Sequence, residues 1–274
     1  MATPATTTFN PFFEVERTPV FAKYGNKEIQ LAKDVLINTE TGRPVGMVGK
    51  DYKVITNNEV NELFGEAFSK YKVKQTMDFI KKGGETWVRR IVFEDDELTF
   101  EVANGDISHV MLEIYNGFNT TIRYGYNLSL FRSICSNGMV FGKKNLFGLN
   151  FTHNSDQLET IRSTFEIGAK SIGEEIIPIW QKWTKIPHTM NDMEVFLDSR
   201  DYVNNDKMKE RILVTYEEVM NREKHDETRF GAFNAITEIM THQTSTRRED
   251  TSNIFGNAYR KYERLAMDMY ALPM

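Results

Sequence analysis

At 274 residues the chain exceeds the usual domain of about 100–150 residues, so one large domain or two closely packed ones fit it. Its 40% hydrophobic and 12% aromatic content is enough for a core and excludes wholesale disorder. A formal charge of −5 excludes a uniformly basic surface but not a local basic patch, because binding answers to the local field.

Cys135 is the single cysteine, so no internal disulfide can form. The opening residues, Met1-Ala-Thr-Pro-Ala-Thr-Thr-Thr-Phe-Asn10, lack the charged and apolar regions of a signal peptide. No run approaches the roughly 18 apolar residues of a membrane span. The expectation is a cytoplasmic protein with no membrane partner.

Residues 1–12 are small, Thr-rich and Pro-bearing, and read as a flexible N-terminal arm. Val45–Ile55 is strand-like around a Gly49-Lys50-Asp51 turn. Thr56-Asn-Asn-Glu59 has capping-box spacing, in which hydroxyl and carboxylate satisfy the free amides of a helix start. Val60, Leu63, Phe64, Ala67 and Phe68 then recur on one helical face.

From Tyr71 the pattern changes to strands. Tyr71–Ile80 and Thr86–Phe93 are separated by Lys81-Lys-Gly-Gly84, a turn signal. After the acidic Glu94-Asp-Asp-Glu97, further strand-like runs cover His109–Tyr115, Thr120–Leu130 and Met139–Phe141, with Asn116-Gly117 and Asn137-Gly138 predicted as turns. Helical spacing begins after Ser155 with Leu158, Ile161, Phe165 and Ile172, and an interruption is expected near Pro178. Further helices are predicted at about 191–200, 205–223, 228–243 and 251–271. The plan is α+β: a β-rich region, 13–154, with an inserted helix and antiparallel hairpins, then a helical region, 155–274, packed on it or continuous with it.

The common catalytic and cofactor motifs are missing from the sequence. Gly49-Lys50 is the nearest approach to a phosphate loop, but Pro44 takes the first glycine position and Asp51 replaces the Ser or Thr. His109, His153, His188, His225 and His242 lack metal-ligand spacing, and no cofactor is implied. Glu94–Glu97 reads as a solvated turn, although a metal-dependent nuclease using such carboxylates with His153 or His242 stays open.

No acidic residue lies between Glu113 and Asp156, while Arg123, Arg132, Lys143 and Lys144 fall there among many aromatics. Residues 156–274 hold 16 basic against 21 acidic side chains, so the deficit sits in the helical half. Cations that track phosphates and rings that stack on bases are how single-stranded nucleic acid is held. The candidate phosphate contacts are Lys81, Lys82, Arg89, Arg90, Arg123, Arg132, Lys143 and Lys144, with Tyr124 and Tyr126 as candidate stacking platforms. Neighbours on a strand point to opposite faces, so a buried strand pair with a few edge cations competes with the binding surface.

Two segments carry a resemblance. Phe131-Arg-Ser-Ile-Cys-Ser-Asn-Gly-Met139 followed by Phe151-Thr-His-Asn154 is the first; Thr228-Arg-Phe-Gly-Ala-Phe-Asn-Ala-Ile-Thr-Glu238 with His242 is the second. With Tyr52-Lys-Val-Ile-Thr-Asn-Asn58 they resemble the phage- and plasmid-type family numbered 932 among domains of unknown function, over about residues 45–270. The chain departs from that pattern in having Asn137-Gly138 for Asn-Thr, and Glu238-Ile-Met-Thr-His242 where an Asp often precedes the His. The resemblance implies a mobile-element origin and carries no established catalytic residue. The order of strand, capped helix, basic and aromatic hairpins and long helix is also similar to the core of single-strand annealing recombinases, an analogy of fold. The expected function is therefore non-enzymatic binding of single-stranded DNA, with strand annealing, by a homo-oligomer. The alternative is a protein-interaction module acting on a phage or host protein.

Overall fold

The computed structural model describes residues 10–120, 122–133, 137–139, 148–150, 157–203, 205–223, 227–240 and 257–273. Three strands come first: β1 (Val15–Tyr24), β2 (Lys27–Asn38) and β3 (Pro44–Gly49). After α1 (Asn57–Ala67) follow β4 (Val73–Lys81), β5 (Thr86–Phe93), β6 (Thr99–Ala103), β7 (Asp106–Gly117), β8 (Gly125–Arg132), β9 (Asn137–Met139) and β10 (Gly148–Asn150). The helices are α2 (Gln157–Ser171), α3 (Ile177–Trp183), α4 (Met190–Asp198), α5 (Asp206–Glu223), α6 (Arg229–Glu238) and α7 (Asn257–Tyr270). Strands precede helices, so the chain is α+β.

β7 is the spine of the larger sheet. Its second half pairs with β5 and its first half with β6 along one edge, while β8 runs along the other. All these pairings are antiparallel. Being paired on both edges and covered on both faces, β7 needs an apolar run, and Val110, Met111, Leu112 and Ile114 supply it. Val110, Leu112 and Ile114 face the helices, together with Trp87 of β5 and Tyr126 and Leu128 of β8. Met111, Val92 and Phe131 form a smaller cluster on the opposite face.

One core joins sheet and helices, running from Val60 and Phe64 through the sheet to Ile161, Trp180, Phe233 and Leu265. The cap expected on α1 is present: Thr56 accepts from the Glu59 amide, and Glu59 accepts from the Thr56 amide. The helix is interrupted just before Pro178. A π-helical segment, Ile172–Ile176, joins α2 to α3, and Pro178 lies in the first turn of α3, where its missing N–H costs nothing.

Two expectations are corrected. Asn116-Gly117 is no turn: Asn116 is buried in β7 and donates to Ile55 O and Asn57 Oδ1, tying the strand to the start of α1. Asn137-Gly138 belongs to β9, paired with β8. Of the expected N-terminal arm, residues 1–9 lie outside the described residues; Asn57 donates to Pro11 O, and Phe12 meets Trp87 edge-on at 5.6 Å.

Sequence reading passed over β1, β2 and β6. β1, β2 and β3 make a separate antiparallel sheet. Its base sits on a small cluster of Phe13, Leu36, Val45, Val48 and Phe118. Gly46 makes the junction possible, because a Cβ there would lie 2.0 Å from Phe118 O.

Candidate nucleic-acid interface

The predicted site residues do not share a surface. Arg132 is fully buried and donates through Nε and Nη2 to Asp106, itself fully buried, at 2.6–2.8 Å. Its guanidinium lies over the Phe230 ring, 5.3 Å from the centroid. Arg90 is buried and paired with Glu113 at 2.8 Å. Arg89, half-buried, clasps Asp78 at 2.8 Å between the rings of Phe12 and Trp87. These cations neutralise carboxylates of the protein's own sheet, and Arg132 is the one of them that lies in the acid-free window.

Tyr124 and Tyr126 are corrected from stacking platforms to core residues. Tyr124 donates to Gln157, Tyr126 donates to Ile161 O at 3.3 Å, and burial pushes both phenols above their ordinary pKa. Tyr126 meets Phe64 edge-on at 5.6 Å, as a core ring does. Arg123 is exposed in the loop between β7 and β8. Lys81 closes β4 and Lys82 opens the short turn Lys82–Gly84. Lys143, Lys144, Cys135, His153, His225 and His242 lie outside the described residues.

The two motifs that suggested a family meet at this buried point. Arg132 of the first lies against Phe230 of the second. Gly231 lets α6 approach α5, since a Cβ there would lie 2.2 Å from Met220 Cε. Glu238 pairs with Arg222 of α5 at 2.6 Å, and Thr237 donates to Asn234 O. Asn234 differs from these motif neighbours: it is buried, and among the described residues neither its amide nitrogen nor its amide oxygen has a hydrogen-bond partner. The motifs therefore act largely as the joint between sheet and helices.

Chemistry-bearing groups elsewhere are mostly committed. Glu97 and Phe100 line a surface cleft of about 460 Å³ with Tyr71 and the Lys70–Glu166 pair, whose nitrogen and oxygen are 2.7 Å apart. Asp95 accepts from the Lys72 amide at 2.7 Å, so part of the acidic stretch is a turn cap. Among the described residues, no three His, Cys, Asp or Glu side chains converge as metal ligands would. No helix among them is long and apolar enough to cross a membrane.

Exposed rings and cations come together instead on the β1–β2 hairpin. Beyond Asp34 both of its faces meet solvent. Phe21 is 56% exposed and Tyr24, at the tip, 79%. Residues 19–33 carry Lys23, Lys27 and Lys33 against the single acid Glu28. Cross-strand partners share a face, so Phe21 lies beside Gln30 and Lys23 beside Glu28, while Tyr24 and Lys27 flank the turn. That turn is the two-residue loop Gly25-Asn26, with Gly25 at φ 59°. The two-residue Gly-Asn turn signal was what could have revealed the hairpin.

No curated protein and no solved structure matches the chain. A family profile described as "Domain of unknown function (DUF932)" matches residues 44–260, a span that begins after the β1–β2 hairpin and includes both meeting motifs. The chain belongs to that family.

Proposed function

We propose that the chain binds single-stranded DNA on the β1–β2 hairpin, as a non-enzymatic factor in the recombination or replication of a mobile element, working in the host cytoplasm. The observation that carries this reading is the bare pair of rings, Phe21 and Tyr24, next to Lys23 on an arm with an excess of lysine. A ring with an open face stacks on any base, and neighbouring ammonium groups follow the phosphates. Arg123 and the Lys81-Lys82 turn are candidate further phosphate contacts. Strand annealing is the activity such a grip would serve.

The test is fluorescence anisotropy with labelled oligo-dT across a salt series. Binding that weakens steeply with salt and is lost in Phe21→Ala/Tyr24→Ala is expected. Absence of binding at low salt overturns the reading. It would favour the second one, a module docking on a phage or host protein, to which the acidic balance of residues 156–274 lends support.

A further inference from the structure

The two bare rings of the hairpin lie on opposite faces of it. Phe21 stands across from Gln30 and Tyr24 across from Lys27, and an odd separation along β1 turns the rings apart. The register puts Ile29 on the Tyr24 face with Lys27, and strand alternation adds Leu31 and Lys33. The shift between Pro19 and Phe21 sets residues 31–33 of β2 against Val20 alone. That excess is even, so the alternation from Lys27 to Val35 holds through it. Lys27, Ile29, Leu31 and Lys33 are all exposed. Neither lysine makes an ion pair or a side-chain hydrogen bond among the described residues.

Charge separates the two faces. Lys23, on the Phe21 face, stands opposite Glu28. On the Tyr24 face the first acid is Glu16, at the base opposite Ile37. Lys27 and Lys33 are at most about 20 Å apart along the strand, a span that takes several phosphates. Ile29 and Leu31 lie between them, and the exposed Met47 widens this aliphatic bed at its base. A duplex keeps its bases paired inside and brings only its outer surface to such a bed, whereas a single strand lays its bases on it. One strand meets both rings only by crossing the tip, where Gly25 has no side chain to obstruct it. We propose that single-stranded DNA follows the Tyr24 face and then crosses the tip to Phe21. Its phosphates sit on Lys27 and Lys33 and its bases over Ile29 and Leu31, and this bed selects the unpaired strand over duplex. The track rests on the reading of the hairpin as the DNA-binding element, and adds to it a path, four contacts and a basis for discrimination.

The experiment is anisotropy of the full chain with labelled oligo-dT and with a duplex of the same length, across a salt series. Wild type is expected to prefer the single strand by about tenfold or more. Ile29→Ser/Leu31→Ser should lose most of that preference while keeping its salt slope and its circular dichroism spectrum. Lys27→Ala and Lys33→Ala should each flatten the slope by about 0.7, and Lys23→Ala by less. Equal affinity of wild type for both DNAs, an unchanged preference in Ile29→Ser/Leu31→Ser, or a slope indifferent to Lys27 and Lys33 would each overturn the track. In those cases, loss of binding in Phe21→Ala/Tyr24→Ala would leave the hairpin reading standing. No binding by wild type at low salt removes both.

Discussion

Arg132 and Asp106 form an ion pair with no solvent exposure on either side chain, joined by three nitrogen–oxygen contacts of 2.6–2.8 Å. Removing one partner strands the other charge in the interior, which typically costs about 3–5 kcal/mol. Arg132→Ala is thus expected to lower the urea midpoint sharply. Arg123→Ala, on an exposed loop, should leave it within error. Equal midpoints for the two variants would contradict the burial of the pair.

The rings divide in the same way. Phe21→Ala or Tyr24→Ala should weaken single-strand binding by about 1–3 kcal/mol each, with thermal stability unchanged. Tyr126→Ala, in the core, should lower stability by about 3–5 kcal/mol. Anisotropy and melting measured on the same samples separate the two outcomes.

Two glycines mark close approaches of unequal rigidity. An added methyl at Gly231 meets the flexible end of Met220, and overpacking of this kind costs about 1–3 kcal/mol. At Gly46 it meets the backbone carbonyl of Phe118, which cannot swing aside. Gly46→Ala should therefore be the more damaging change in chemical denaturation, and the reverse order would count against the packing of the small sheet on Phe118.

His109 and His188 both resist protonation. Burial is the main cause for each, reinforced by the Lys74 ammonium at His109 and the Arg229 guanidinium at His188, where Asp192 pulls the other way. Lys74 Nζ stands 2.6 Å from His109 Nε2 as a donor, leaving that nitrogen no room for a proton. The folded pKa values lie below the ordinary 6.5, so the unfolded chain takes up protons first as pH falls. The stability tied to these rings is complete above about pH 6.5 and is lost as the pH drops below it. Urea unfolding from about pH 8 to about pH 5 should show this decline, reduced in His109→Gln/His188→Gln.

The sequence made α1, β4, β5 and the order of strands before helices legible because their periods and caps are local. The cations were not legible as a site. Whether Arg132 faces water or Asp106 depends on strand register, and Ser108, which pairs with Arg132, lies beyond a loop from it. The same blindness hid Glu113 beneath Arg90, a cross-strand pair in β5 and β7. Tyr124 and Tyr126 alternate with Gly125 rather than with each other, so both point to the helical side, where no solvent reaches them. The hairpin was missed because its exposed residues are mixed in polarity and give no clean alternation.

Among the described residues, the arm beyond Leu31 is hydrogen-bonded only to itself, since β3 pairs with β2 from Lys33 to Ile37 and no further. A lone two-stranded ribbon is barely stable in water, so this stretch can open while the body stays folded. Amide exchange around Ala22–Gln30 should be orders of magnitude faster than in β7 and should slow when a ligand takes hold of the arm. The arm therefore acts as its own reporter: the protection of a few amides would register occupancy without any label on the partner.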